Sequence, residues 1–191
     1  GDFMLSKSFA MSARLADGRV SEILADTAIQ ICQGELEQNA QRDNWRLGEK
    51  GYFEIIEANT ASLFGSSCEL GALSAGADEK TIKAFFEFGI CLGMAFQVGE
   101  DLMDSTGAGK GEGKTLGRGI AERKPTLAMI HLMTTLNAGA GDKLVEGLSA
   151  GHVPENYEEM LVSSGSLEYS RKIARDYCDR AIGCLENIDD S

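Results

Sequence analysis

The sequence predicts an all-α protein, and three observations support this fold class. Apolar residues recur at the three- and four-residue spacing of a helix face over long stretches, and no stretch alternates convincingly over several β-branched residues. Only two prolines occur in the 191 residues, and both suit the first turn of a helix. No internal repeat and no Pro/Ser-rich linker divides the chain. We therefore expect one all-helical domain over residues 1–191, with long helices around a common core.

The expected helices follow one another with short turns between them. The sequences ADGR at 16–19 and AGAD at 75–78 provide two of these turns, and Asp78 suits the N-cap of the helix after it. A glycine-rich segment at 105–124 is the main interruption. The predicted spans are 3–16, 21–43, 49–74, 79–104, 125–136, 140–149, 155–164 and 166–188.

Composition excludes several classes of function. The net charge of −12 disfavours a nucleic-acid partner, because phosphate binding needs a basic surface. No run of about 18 consecutive apolar residues is present, so we expect no membrane-spanning segment. The five cysteines lie far apart and form no CxxC pair, and neither histidine has a partner at ligand spacing. These features favour reduced thiols, a cytoplasmic protein and no metal site built on cysteine or histidine.

Acidic side chains are concentrated in one apolar, helical stretch, FQVGEDLMD at 96–104. Gln97, Glu100, Asp101 and Asp104 are three or four residues apart and share one helix face. Like charges at this spacing repel unless something positive lies between them. A solvated helix face is the ordinary explanation of an acidic cluster. Here the apolar surroundings and the basic segment that follows favour a site instead.

The segment after this face is rich in glycine and carries five basic residues, Lys110, Lys114, Arg118, Arg123 and Lys124. It resembles a P-loop only superficially, because Ala108 replaces the first glycine and a helix, not a strand, precedes it. Clustered carboxylates are hard oxygen ligands suited to Mg²⁺, which bridges to phosphate oxygens. Lysines and arginines would add charge-assisted hydrogen bonds. Together they predict a diphosphate-handling site with room for an apolar tail between the helices.

Several motifs in the sequence resemble those of the trans-isoprenyl (polyprenyl) diphosphate synthase family. FQVGEDLMD is similar to the second aspartate-rich motif of that family, and GKTLGRGIAERKPTL is similar to the GKxxGxDLxEGKxTL block that follows it. GDFMLSKSF, CQGELEQ and EIIEANTASLF resemble further family segments, in the family's order and at its spacing. The resemblance implies an isoprenoid-synthase-like bundle of long, mostly antiparallel helices around a central cleft, of which this chain forms part.

The resemblance also implies a reaction and the residues that serve it. The family joins isopentenyl diphosphate to an allylic diphosphate, using magnesium to assist departure of diphosphate, and forms dimers. Asp101, Asp104, Lys114 and Lys124 correspond to catalytic positions, and magnesium would bind Glu100, Asp101 and Asp104. The substrate-binding positions are Asn59, Thr60, Gln97, Lys114 and Lys124.

The sequence departs from the family pattern at several positions. Asn59 replaces the lysine of the KT pair, Glu100 replaces an aspartate and Gly119 replaces the aspartate of GxD. The first aspartate-rich motif of the family lies just upstream of GDF, where this sequence begins. We therefore expect condensation by this chain alone to be undetectable or very slow.

Three hypotheses follow from the resemblance. The chain is the C-terminal portion of a polyprenyl diphosphate synthase, or it is a non-catalytic or regulatory subunit of a heteromeric synthase. In the third hypothesis it keeps the fold and catalyses cyclisation, as class I terpene synthases do. The block at 113–127 favours synthases over cyclases.

Overall fold

A computed structural model describes residues 2–15, 17–106, 120, 122–186 and 188. Every regular element among these residues is helical and none is a strand, which confirms the all-α prediction. The α-helices are α1 (Asp2–Ser12), α2 (Gly18–Ala40), α3 (Glu49–Ile56), α4 (Ser62–Ser74), α5 (Glu79–Thr106), α6 (Leu127–Thr135), α7 (Ala138–Ser149), α8 (Tyr157–Ser163) and α9 (Ser166–Leu185), and a π-helical turn, Glu57–Ala61, joins α3 to α4.

Side-chain caps determine where two of the longer helices begin. Asp17 accepts a hydrogen bond from the Arg19 backbone N–H at 2.9 Å, so α2 begins at Gly18, three residues before the predicted start. Asp78 accepts from the Thr81 backbone N–H at 2.8 Å and caps α5. The N-cap predicted at Asp78 is therefore confirmed.

The two prolines lie before helices rather than in their first turns. Pro125 precedes Thr126, whose side chain accepts from the Met129 N–H and caps α6. Pro154 lies three residues before α8 begins at Tyr157. The expected first-turn positions are wrong, because both helices begin after their proline, at Leu127 and at Tyr157.

Helix α5 is the central element of the fold. It packs against α4 on one side and α9 on another, and buries Met94, Ala95 and Val98. Within the described residues, α5 is also the one helix whose length and apolar composition would suffice to cross a membrane. Core helices of other proteins share these properties, so the absence of a membrane span stays a prediction. The central position of α5 places its C-terminal half, with Gln97 and the carboxylates, next to several other elements.

A second group of buried residues joins the C-terminal helices to the segment before α3. Trp45 is 1% exposed and packs with residues of α6, α7 and α8. The cluster comprises Trp45, Ala128, Met129, Leu132, Leu144, Leu148, Tyr157 and Leu161. It fixes the start of α6 and of α8 beside the C-terminal end of α5, where the basic segment of the sequence ends.

The helical stretch predicted at 49–74 is continuous but contains the π-helical turn. The turn packs closely against α2, because a Cβ added at Gly34 would lie 2.7 Å from the Asn59 backbone nitrogen. It also meets α5, where a Cβ at Gly93 would lie 2.6 Å from the Ala61 Cα. π-Helical turns are rare and frequently occur at functional sites. This one carries Asn59 and Thr60, two of the predicted substrate-binding residues.

Candidate functional site

A chain of hydrogen bonds connects four side chains from α3, the π-helical turn and α5. Thr60 Oγ1 donates to Gln97 Oε1 at 3.1 Å, and Gln97 Nε2 donates to Asp101 Oδ1 at 2.9 Å. The other carboxylate oxygen, Asp101 Oδ2, accepts from the Tyr52 hydroxyl at 2.7 Å. Three of these residues were predicted as site residues from the sequence, and the structure brings them into direct contact.

The local helix geometry explains this arrangement. Gln97 and Asp101 are one turn apart on α5 and therefore lie on the same face. Asn59 Oδ1 lies 3.0 Å from Thr60 Oγ1, so the polar groups of two side chains of the π-helical turn lie side by side. A hydroxyl group has one proton, so Thr60 donates either to Asn59 or to Gln97 at any moment.

The Asp101 carboxyl is in an environment that disfavours its charged form. Burial raises the pKa of this group from 3.8 to about 6, and the neighbouring Asp104 carboxylate adds to the rise. Hydrogen bonds from Tyr52 and Gln97 and the charge of Lys124 act in the opposite direction. Burial also raises the pKa of the Tyr52 hydroxyl well above 10, with a further contribution from the Asp101 charge. Tyr52 is therefore a neutral donor to Asp101 at physiological pH.

A small cavity lies at the C-terminal end of α5. Asp104 from the acidic helix face and Lys124 from the basic segment both line it. Its volume of about 30 Å³ is enough for one water molecule. Its lining includes a carboxylate, an ammonium group and three hydroxyl groups. The lining residues are Asp104, Ser105, Ile120, Lys124, Thr126, Met129, Val153 and Tyr157.

Charged and hydroxyl groups around this cavity interact with one another. Lys124 Nζ lies 3.3 Å from the Glu122 carboxylate, and both side chains are about one third exposed. Burial raises the pKa of the Tyr157 hydroxyl, and the Asp104 charge raises it further. Asp104 therefore lies within electrostatic reach of both Tyr157 and Asp101.

Ser105 lines the cavity and also contacts Asp101, which belongs to the hydrogen-bonded network of Tyr52, Thr60 and Gln97. Its hydroxyl donates to the Asp101 backbone carbonyl at 2.8 Å and lies 3.5 Å from Thr126 Oγ1. Thr126 in turn caps α6. Ser105 thereby links the end of α5 to the segment that carries Lys124. The hydrogen-bonded side chains around Asp101 and the residues that line the cavity therefore form one continuous site.

The structure places most of the predicted site residues together. Asn59, Thr60, Gln97 and Asp101 meet through hydrogen bonds, while Asp104 and Lys124 line the adjoining cavity. Glu100 is half-buried on the same helix. Lys114 lies outside the described residues.

The donor set suits a hard cation bound through few protein ligands. Among the described residues, no three His, Cys, Asp or Glu side chains are arranged as a metal-binding group. Mg²⁺ usually binds one or two carboxylates and completes its shell with water and substrate phosphate. Asp101 and Asp104 fit that mode, since they are close enough for their charges to interact. The three-carboxylate set that includes Glu100 stays a prediction.

Four site residues were not identified from the sequence: Tyr52, Ser105, Thr126 and Tyr157. Tyr52 gave a weak signal, because a tyrosine within an apolar helical stretch generally needs a hydrogen-bond partner when it is buried. Ser105 and Thr126 have roles that depend on how α5 meets α6, which spacing along the chain does not reveal.

Comparison with known proteins identifies the family of the chain. The family model described as polyprenyl synthetase matches residues 1–160. The octaprenyl diphosphate synthase of Escherichia coli (strain K12) is 30% identical over 100% of this chain, which covers 60% of that protein. Heptaprenyl diphosphate synthase component 2 of Bacillus subtilis (strain 168) is 29% identical over 98% of this chain, which covers 54% of that protein.

Solved structures agree with the sequence matches. A polyprenyl synthase from Roseobacter denitrificans superposes with a TM-score of 0.89 at 29% identity, covering 100% of this chain and 63% of that one. A polyprenyl synthase from Caulobacter crescentus CB15, complexed with calcium and isoprenyl diphosphate, gives 0.88 at 30% identity, over 96% of this chain and 57% of that one. This chain thus spans less than two thirds of the length of these relatives. The match over most of the sequence and the shared helical fold show that the chain belongs to the polyprenyl synthetase family.

Proposed function

We propose that this chain contributes the second carboxylate wall of a magnesium-dependent prenyltransferase site. In the proposed reaction, isopentenyl diphosphate condenses with an allylic diphosphate to give a polyprenyl diphosphate. The observation that carries this proposal is the proximity of Asp101, Asp104 and Lys124 at the end of α5. Carboxylates beside an ammonium group provide both ligands for a divalent cation and a direct contact for phosphate.

Each side chain has a role that follows from its chemistry. Asp101 and Asp104 would hold Mg²⁺, which when bound offsets the negative charge of the departing diphosphate. Lys124 would donate charge-assisted hydrogen bonds to diphosphate oxygens, as would Lys114 by the family resemblance. Thr60 and Gln97 would orient the allylic end of the substrate. No histidine is needed, because the released diphosphate can accept the proton lost at the end of the reaction.

An apolar surface beside Thr60 and Gln97 suits the hydrocarbon tail of such a substrate. Leu63 follows Thr60 by one helical turn and is 51% exposed, and Phe96 precedes Gln97 and is 50% exposed. Leu92, one turn before Phe96, is also exposed, and the Phe64 and Phe96 rings lie 5.4 Å apart. Large apolar side chains exposed together favour an apolar ligand or partner.

The test is a condensation assay together with a binding measurement. Radiolabelled isopentenyl diphosphate, farnesyl diphosphate and Mg²⁺ are incubated with the 191-residue chain and with the same segment joined to the upstream part of a relative. We expect little turnover by the former, turnover by the latter, and its loss in Asp101→Ala. In a calorimetric titration, the 191-residue chain should bind pyrophosphate only when Mg²⁺ is present. An active Asp101→Ala enzyme, or no binding at all, would refute the proposal.

A non-catalytic or regulatory subunit is the second candidate function, and one particular set of relatives favours the heteromeric assembly that it requires. Two of them, from Bacillus subtilis and Geobacillus stearothermophilus, are named component 2 of a heptaprenyl diphosphate synthase. In a heteromeric enzyme this chain would act as a non-catalytic or regulatory subunit, in which Asn59 is tolerated because diphosphate binding is relaxed. That function predicts no Mg²⁺-dependent binding of pyrophosphate by the chain, and a change in the product length of a homologous synthase when the two are mixed.

Assembly and location complete the proposal. We expect a homodimer, or a heterodimer with a homologous subunit, in the cytoplasm. Helix α1 leaves Phe3 and Met4 largely exposed, and α2 exposes Ile29 and Leu36, so both helices present apolar side chains that a partner could cover.

A further inference from the structure

We propose that Tyr52 is a positioning residue that holds the Asp101 carboxylate in the orientation needed to bind a metal–diphosphate ligand. The inference rests on the proposed function and extends it to a residue outside the expected ligand set. It is carried by the hydrogen bond of 2.7 Å from the Tyr52 hydroxyl to Asp101 Oδ2. Tyr52 lies on α3, whereas Asp101 lies on α5, so the contact depends on the packing of two separate helices.

The phenol of Tyr52 is held firmly in place. The side chain is 3% exposed and belongs to a buried cluster with Ile56, Met94 and Val98. Its ring also makes an edge-on contact with Phe53 at a centroid distance of 5.5 Å. A ring packed on all sides cannot change rotamer without opening a cavity. The hydroxyl is therefore a fixed donor for Asp101.

With Tyr52 present, each oxygen of the Asp101 carboxylate accepts one hydrogen bond. Oδ2 accepts from Tyr52 and Oδ1 accepts from Gln97. Two donors on opposite oxygens prevent rotation of the carboxylate about its terminal bond. Each oxygen keeps a further lone pair for a cation. Hydrogen bonds of this kind to a ligating carboxylate usually change metal affinity by roughly 10–100-fold.

The same contact affects the substrate-binding side chains. Gln97 bridges Asp101 and Thr60, because its amide nitrogen donates to the former and its amide oxygen accepts from the latter. A carboxylate that is free to rotate would loosen Gln97, and through it the Thr60 hydroxyl. Tyr52 therefore influences both the metal-binding and the substrate-orienting parts of the site without touching the substrate.

Tyr52→Phe separates this role from packing, since it keeps the ring and removes only the hydroxyl. Tyr177→Phe is the matched control, because Tyr177 belongs to the same aromatic group and its ring lies 6.2 Å from Phe53. Incorporating 3-fluorotyrosine at position 52 restores a donor and serves as the rescue variant. The readout is calorimetric titration of the 191-residue chain with inorganic pyrophosphate in the presence of Mg²⁺, with helix content followed by circular dichroism.

We expect Tyr52→Phe to weaken Mg²⁺-dependent pyrophosphate binding by roughly 10–100-fold while its helix content is unchanged. Tyr177→Phe and 3-fluorotyrosine at position 52 should bind within about threefold of the wild type. If the wild type binds and Tyr52→Phe binds equally well, the positioning role is overturned and the proposed function stands. If the wild type does not bind, both are overturned. A Tyr52→Phe chain without its helical signal would assign the hydroxyl to folding and would also overturn the proposal.

Discussion

Replacing Asp101 with asparagine should remove the pH dependence that this carboxyl gives to the stability of the ligand-free protein, while also removing a metal ligand. Asparagine has the same shape as aspartate and carries no charge. In the folded protein, burial raises the pKa of Asp101 from 3.8 to about 6. A shift of about 2 units corresponds to a cost of roughly 3 kcal/mol when the group is fully ionised. Asp101→Asn removes this charge cost, but its amide nitrogen cannot accept the hydrogen bond that one of the two carboxylate oxygens accepts from Tyr52 or Gln97. That loss does not depend on pH, so the pH dependence of the stability difference isolates the charge cost.

The sign of the pH dependence follows from proton linkage. A carboxyl with a raised pKa in the folded state binds protons more tightly there than in the unfolded chain. Stability therefore falls as pH rises from about 4 to 6, and the full cost is present above about pH 7. From the two pKa values, the cost is about 2 kcal/mol at pH 5 and about 3 kcal/mol at pH 8. The stability difference, Asp101→Asn minus wild type, should therefore rise by roughly 1 kcal/mol over this range.

Urea unfolding followed by circular dichroism at 222 nm measures this difference. A range of pH 5 to 8 avoids the isoelectric point near 4.6, where the chain carries little net charge. Asp179→Asn, at an exposed position on α9, is the matched control and should change stability by less than about 0.5 kcal/mol at each pH. If the stability of Asp101→Asn minus that of the wild type stays constant or falls as pH rises, Asp101 is not held in an environment that disfavours its charged form.

Three further variants test the fold, the cavity and the assembly. Gly34→Ala should destabilise the protein by roughly 1–3 kcal/mol in urea unfolding, because its Cβ would lie 2.7 Å from a backbone nitrogen of the π-helical turn. An unchanged unfolding midpoint would argue against this close packing. Lys124→Gln should weaken Mg²⁺-dependent pyrophosphate binding about tenfold in calorimetry, because a charge-assisted hydrogen bond is lost. If the variant binds pyrophosphate as tightly as the wild type, Lys124 does not belong to the site. Ile29→Asp combined with Leu36→Asp on α2 should convert a dimer to a monomer in light scattering, since these side chains are 55% and 70% exposed; an unchanged mass would exclude this face from the interface.

The helical fold and much of the site could be predicted because they depend on spacing along one helix. Gln97, Asp101 and Asp104 recur at helical intervals, so their common face follows from the geometry of α5 alone. The capping role of Asp78 is equally local, as its side chain bonds a backbone N–H three residues ahead.

Features that arise from contacts between helices could not be predicted in this way. The π-helical turn within 49–74 has no distinctive local composition, and it packs at Gly34 and Gly93, which belong to other helices. Tyr52 reaches Asp101 because α3 and α5 pack together, although 49 positions separate the two residues. Lys114 was predicted from the family resemblance, and its role stays a prediction.

The central claim is that Asp101 and Asp104 bind a divalent cation that also binds diphosphate. A crystal structure of the 191-residue chain with Mn²⁺ and pyrophosphate tests it most directly, because Mn²⁺ prefers the same oxygen ligands as Mg²⁺ and gives an anomalous signal. We predict an anomalous peak about 2.0–2.2 Å from carboxylate oxygens of Asp101 or Asp104, with pyrophosphate between that ion and Lys124. Peaks and pyrophosphate found only elsewhere on the protein would contradict the account.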